Sequence, residues 1–333
     1  MKAFQIFGYN REDLTTQGVE IEQPSIKPNE VLIEVKAASV NPLDNMITQG
    51  KVKLITPYCF PLTMGNECSG IVVQTGQDVH DFIVGDQVFT RLPTNQIGAF
   101  AEYVATPASA VARMPQGFSF IEAASIPLTA LTAYQALELM QPQPGESIFI
   151  SGGSGGLGAM AIPLAKARGL IVYTNGNKES QERVLGLGAD RYLDYRKEDY
   201  LEALPPVDYV LDSLGGNELY KQMRLLKKGG KIVSLRGLPN GRFAKRFGLP
   251  IWKQWLFPLA SYRLSRVAKK YGVIYEFLFV ESNGTQLAQV AQIIEGQGIH
   301  PSVDRIFSFD QVNEALSKVA EGGSAGKVVI DLG

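Results

Sequence analysis

The chain has 333 residues, 45% of them hydrophobic, and a net charge of −1. That length and apolar content suit two globular cores, and the near-neutral balance predicts no general affinity for nucleic acid or membrane. Two cysteines, Cys59 and Cys68, exclude a disulfide framework and a four-thiolate zinc lobe, which points to a reducing, cytoplasmic setting. Met1–Phe4 leads into strand-like sequence rather than a signal peptide, and no apolar run approaches the roughly 18 residues of a membrane span, so no stable membrane insertion is expected.

The first 125 or so residues read as β-rich. Val31–Val35, Gly70–Val73 and Ala101–Val104 have strand character, and Gly85–Phe89 reads as a turn entering a strand. Ile121 to Met140 reads as helical. Strands over 147–151, 170–174, 208–212, 231–235 and 274–280 then alternate with helical stretches, the rhythm of a parallel sheet covered on both faces. The tail, helical over Asp310–Val319 and strand-like over Lys327–Leu332, is free to return to the first domain. Between Glu218 and Glu276 there is no Asp or Glu, while Arg242, Lys245, Arg246, Lys253, Arg263, Arg266, Lys269 and Lys270 and both tryptophans, Trp252 and Trp255, fall inside. Two readings fit this segment: a cationic helix on an anionic membrane, or a cover over the sheet or a subunit contact with its charges in water.

The run Gly152-Gly153-Ser154-Gly155-Gly156-Leu157-Gly158 follows the apolar strand Ser147–Ile150 and opens a helical pattern reaching Ala167, with another strand at Leu170–Tyr173. Strand, glycine turn, helix and strand is the setting in which backbone N–H groups cradle a dinucleotide pyrophosphate, here through Ser154, Gly155, Gly156 and Leu157. An acidic side chain ending the second strand would bind a ribose 2′-hydroxyl. Here that stretch reads Tyr173-Thr174-Asn175-Gly176-Asn177-Lys178, with no carboxylate before Glu179. Asn175, Asn177 and Lys178 suit a 2′-phosphate, Tyr195 after the third strand can bond the same group, and NADPH is the expected cofactor. Lys178 can also be a solvated helix-start residue. Ser213, Leu214, Leu235, Gly237, Phe279 and Val280 end later strands at the carboxyl edge, where ligands bind in doubly wound sheets, although core packing explains the apolar ones equally well.

Several segments together carry a family pattern: Asn41-Pro42-Leu43-Asp44, Gly65-Asn66-Glu67-Cys68-Ser69-Gly70, Val84-Gly85-Asp86-Gln87-Val88, Glu122-Ala123-Ala124, Leu131-Thr132-Ala133, Gly145 to Gly158, and Gly326-Lys327-Val328-Val329. The chain resembles the medium-chain dehydrogenase/reductase superfamily over its whole length, within it the zinc-free quinone oxidoreductase or zeta-crystallin branch. Phe149 and Pro163 depart from that branch's signature, and Pro163 should kink its helix. The resemblance implies an α/β fold with a GroES-like β-barrel domain (residues 1–124 and 282–333) and a Rossmann doubly wound parallel-sheet domain (residues 125–281). It also implies an active site where the two meet, Thr132 near the nicotinamide, and a homodimer.

Relatives with catalytic zinc hold it by Cys, His and Cys, which correspond here to Asn41, Asn66 and a position near Leu128. Two amides and an aliphatic chain do not replace those ligands, and His80 and His300 lack metal-ligand spacing, so no metal is expected. The resemblance then implies NADPH-dependent reduction of a small electron-poor acceptor, a quinone or an α,β-unsaturated carbonyl. Asn41 is the candidate for orienting nicotinamide or substrate, with Asp44 supporting its loop. Tyr58 is either a proton donor or an aromatic filling the barrel wall. Two further readings stay open: a non-catalytic NADPH-binding protein with an RNA- or membrane-associating basic segment, and a zinc-free alcohol dehydrogenase.

Overall fold

The computed structural model describes residues 1–333, which divide into two compact units, Met1–Leu131 with Glu281–Gly333, and Thr132–Val280. The first unit begins with β1 (Lys2–Ile6), β2 (Gln17–Glu20), β3 (Glu30–Val40), α1 (Pro42–Thr48), β4 (Leu62–Thr63) and β5 (Glu67–Thr75). It continues through β6 (Gln87–Arg91), β7 (Tyr103–Pro107), β8 (Val111–Arg113) and α2 (Phe120–Ala124), and α3 (Pro127–Met140) carries the chain into the second unit.

The long strand β3 organises the first unit. Its first half pairs with β7, its second half with a returning strand near the C-terminus, and its other edge with β5. With neighbours on both sides, Val31, Leu32 and Ile33 are all buried, so the strand reads as a continuous apolar run rather than an alternating one.

The second unit runs β9 (Ser147–Ile150), α4 (Gly156–Ala167), β10 (Ile171–Gly176), α5 (Gln181–Gly186), β11 (Arg191–Asp194), α6 (Tyr200–Ala203) and β12 (Val207–Asp212). There follow α7 (Gly216–Gln222), β13 (Leu226–Ser234), α8 (Gly241–Arg246), α9 (Ile251–Ala260), α10 (Tyr262–Tyr271) and β14 (Ile274–Phe277). The six strands are parallel, in the order β11-β10-β9-β12-β13-β14. That is the 3-2-1-4-5-6 order of a Rossmann sheet, whose direction of winding reverses between β9 and β12. The chain then returns to the first unit through α11 (Gly284–Gln297), β15 (Val303–Ser308), α12 (Val312–Glu321) and β16 (Lys327–Asp331), and β16 pairs antiparallel with β3.

Three secondary-structure expectations are revised. The helix over 121–140 is two helices, because Pro127 opens α3 and disfavours helical backbone in the residue before it. The last strand stops at Phe277, leaving Phe279 and Val280 outside it. The strand expected at 101–104 starts at Tyr103. Within the first unit, which runs to Leu131, α2 packs on β3, β5 and β16 around Ala37, Ala124 and Val329. Helix α4 runs unbroken through Pro163.

Close approach makes glycine necessary where α4 meets its turn. A Cβ on Gly158 would lie 2.4 Å from the Gly153 Cα, backbone that cannot give way. Gly158→Ala is therefore expected to destabilise the protein by about 1–3 kcal/mol, as overpacking does. Urea denaturation checks this, and an unchanged midpoint would show that the turn is looser than described.

Candidate functional site

At the carboxyl edge of the second unit's sheet, Gly155 is the N-cap of α4 and offers no side chain to its first turn. The leading N–H groups of that helix have no partner within it, which leaves an anion-binding end. Beneath it, the Thr174 hydroxyl donates to the Ile150 carbonyl at 2.7 Å and fills the space a Cβ on Gly153 would take. At the switch point between β9 and β12, the Ser213 N–H donates to Ser151 Oγ (3.0 Å) and Ser213 Oγ donates to the Ser151 carbonyl (2.9 Å). Asp212, fully buried, accepts from the N–H groups of Leu214 and Gly215 and from Ser234 Oγ, which fixes the loop after β12.

The end of β10 has a definite polarity. Asn175 Oδ1 accepts from the Gly152 N–H at 2.9 Å, and Asn177 Oδ1 caps the following turn by accepting from the Ser180 N–H at 3.0 Å. With both carbonyl ends engaged, the ends left over are the amide donors. Lys178 and Tyr195 are exposed beside them. Arg183 on α5 adds a cation that sequence reasoning missed: its Nη2 donates to the Ser154 carbonyl (2.7 Å), while Nη1 is buried without a partner. The sheet edge thus gathers the sequence-derived residues Ser154, Gly155, Gly156, Leu157, Asn175, Asn177, Lys178, Tyr195, Ser213, Leu214, Leu235 and Gly237, with Phe279 and Val280 beyond the end of β14. Thr132 is buried in α3.

Asn41 and Tyr58 belong to the first unit, and both are more committed than the sequence suggests. Asn41 Nδ2 donates to Glu67 Oε1 (2.7 Å), and its Oδ1 accepts from Lys327 Nζ (2.5 Å). Both ends of the buried amide carry a hydrogen bond within the protein. Tyr58 donates its hydroxyl proton to the Thr94 carbonyl at 2.7 Å, and burial raises its pKa, so the phenol stays neutral and its proton is already engaged.

Around Asn41 lies a buried charge cluster. Glu67 also accepts from Lys327 Nζ (2.6 Å) and from the Leu128 N–H (2.6 Å), while Asp44 accepts from the Asn41 N–H and from Asn66 Nδ2, both at 2.7 Å. Burial pushes the Asp44 carboxyl up to about 6 against these two hydrogen bonds. Arg91, fully buried, is lowered by desolvation to about 10 and so remains cationic at neutral pH; its Nη1 donates to the Leu92 carbonyl, and Nε and Nη2 have no partner.

These side chains do not suit a catalytic zinc. Asn41 and Asn66 are amides fixed by hydrogen bonds, Leu128 has an aliphatic side chain and gives its N–H to Glu67, and the Lys327 ammonium sits within the cluster. Cys68 is buried with its thiol pKa raised, His300 stacks on Phe118, and no three His, Cys, Asp or Glu side chains are grouped to hold a metal.

Residues 27–116 match the family described as Alcohol dehydrogenase GroES-like domain, and residues 187–330 match Zinc-binding dehydrogenase. Human NAD(P)H oxidoreductase RTN4IP1, mitochondrial, is 32% identical over 100% of this chain and 89% of its own length. The 2-methylene-furan-3-one reductase of Solanum lycopersicum is 32% identical over 99% of this chain and 79% of its own. Among solved structures, the quinone oxidoreductase from Coxiella burnetii superposes with a TM-score of 0.85 at 29% identity, covering 100% of this chain and 99% of that one. The chain belongs to the medium-chain dehydrogenase/reductase superfamily, in the branch of quinone and alkenal oxidoreductases.

Two outcomes test the buried cluster. Lys327→Met strands the Glu67 carboxylate and is expected to cost about 3–5 kcal/mol; adding Glu67→Gln should recover a large part, read as the urea midpoint of the double variant. Asp44 holds its proton to about pH 6 when folded, against an ordinary value of 3.8. The stability it contributes is therefore present below about pH 4 and is lost as pH rises through 6. Relative to wild type, Asp44→Asn should gain up to about 3 kcal/mol between pH 4 and pH 7. A difference that stays flat with pH would show that the carboxylate is ionised throughout.

Proposed function

We propose that the protein is an NADPH-dependent, metal-independent reductase of quinones or α,β-unsaturated carbonyls. The observation that carries this reading is the end of β10, where the carbonyl ends of Asn175 and Asn177 are occupied and their amide donors remain beside Lys178 and Arg183. No carboxylate stands there to repel a 2′-phosphate before Glu179. Gly156 and Leu157 would bind the pyrophosphate through backbone N–H groups at the start of α4, and the loops after β12 and β13 would hold the remainder.

When bound, the nicotinamide supplies the hydride. The protein's share is alignment, which removes much of the entropic barrier, and a fixed positive field for charge developing on the acceptor oxygen. Arg91 provides such a field near Tyr58, since it lies close enough to lower the phenol's pKa against burial. Conjugated acceptors are electron-poor already and need no Lewis acid, which agrees with the amide and aliphatic side chains at the positions the resemblance assigns to zinc ligands. The relative named 2-methylene-furan-3-one reductase carries a conjugated carbonyl of this kind in its name.

Lys178→Glu should lower kcat/KM for NADPH between about tenfold and a hundredfold, the value of one charge-assisted hydrogen bond, and leave NADH almost unaffected. Steady-state rates over a panel of quinones and alkenals, with and without chelator, provide the check. Equal use of the two coenzymes by the wild type, or loss of turnover in chelator, would end this reading.

A further inference from the structure

The acid-free segment forms α8, α9 and α10, and only part of it packs on the sheet. Arg242 and Arg246 of α8 are tied to Glu276 and to the carbonyls of Tyr275 and Phe277. Lys253 and Phe257 turn the opposite side of α9 inward. What α9 shows to solvent is apolar: Ile251, Trp252, Trp255, Leu256 and Leu259 are exposed, with Trp252 at 57% and both Trp255 and Leu259 at 75%. Their spacing of one, three and four residues places them on one helical face. A single residue, Ser261, separates α9 from α10, whose outward side carries Tyr262, Arg263, Arg266, Lys269 and Lys270 and whose inward side carries Leu264 and Ala268.

Beside α10 is a groove of about 380 Å³ lined by Tyr220, Lys221, Arg224, Arg263, Lys270 and Tyr271. Lys221 is shared with Asp199 at 3.0 Å, and Arg263 lies 5.5 Å from the centre of the Tyr220 ring. Four cations and two phenols around one concavity form a phosphate-binding environment.

We propose that the face formed by α9 and α10 docks on an anionic lipid bilayer. Trp252, Trp255 and Leu259 would enter the interface, and the cations of α10 and its groove would take lipid phosphate groups. Exposed tryptophans beside Lys and Arg on short amphipathic helices match the chemistry of that boundary. A second copy of the chain fits less well. A two-fold contact that included α10 would set its cations against their own copies, since no Asp or Glu lies between 219 and 275. Negative lipid complements the same surface.

Both tryptophans of the chain lie on this face, so intrinsic fluorescence reports on it directly. Full-length protein should show a blue-shifted emission and co-sediment with vesicles containing phosphatidylglycerol, but not with pure phosphatidylcholine, and high salt should reverse both effects. Arg266→Glu with Lys270→Glu should weaken binding at least about twentyfold, since each surface cation is worth about fivefold. Trp255→Gln should weaken it further while leaving the reductase rate with a water-soluble acceptor unchanged. Wild-type emission unmoved by anionic vesicles would overturn the proposal. So would concentration-dependent self-association in the absence of lipid that Trp255→Gln abolishes.

Discussion

One buried carboxylate ties the first unit together. Glu67, at the start of β5, reaches Asn41 at the entry to α1, the N–H of Leu128 at the start of α3, and Lys327 at the start of β16. A charge in that position is tolerable only because a cation and two N–H donors surround it, and the same requirement gathers four separate stretches of chain. Asp44 extends the arrangement by holding Asn66 and the backbone at Asn41.

The second unit depends on the opposite device, donors left unsatisfied. The N-terminus of α4, the amide ends of Asn175 and Asn177, and Nη1 of Arg183 all lack partners within the protein and lie at or beside one sheet edge. Close backbone contact enforces this geometry, because α4 can press on its turn only through Gly153 and Gly158.

The parallel sheet of the second unit was legible because strands such as β9 and β12 carry short apolar runs and the glycine turn marks the first crossover. The doubled role of Asn175 and Asn177, capping with one end of the amide and donating with the other, follows from backbone geometry that a residue list does not contain. The internal partners of Asn41 were hidden for a related reason. A polar residue at a family motif reads as a ligand contact, yet its partners, Glu67 and Lys327, lie far off in sequence. A signal was present in the sequence: Glu67 and Lys327 are charges of opposite sign at the starts of apolar strands, and such charges are rarely buried unless paired. The outward face of α9 escaped notice because composition reports tryptophan and lysine together without saying which of them turns inward.

The pairing of Glu67 with Lys327 spans 260 positions. On a ribosome adding about 5–20 residues each second, the anion waits roughly 15–50 s for its cation to be made. During that interval the whole of the second unit is synthesised and can close around its own sheet, while the first must remain ajar. Vectorial synthesis therefore makes the inserted unit the earlier to mature and leaves the N-terminal barrel, though begun first, to be completed by the last strand.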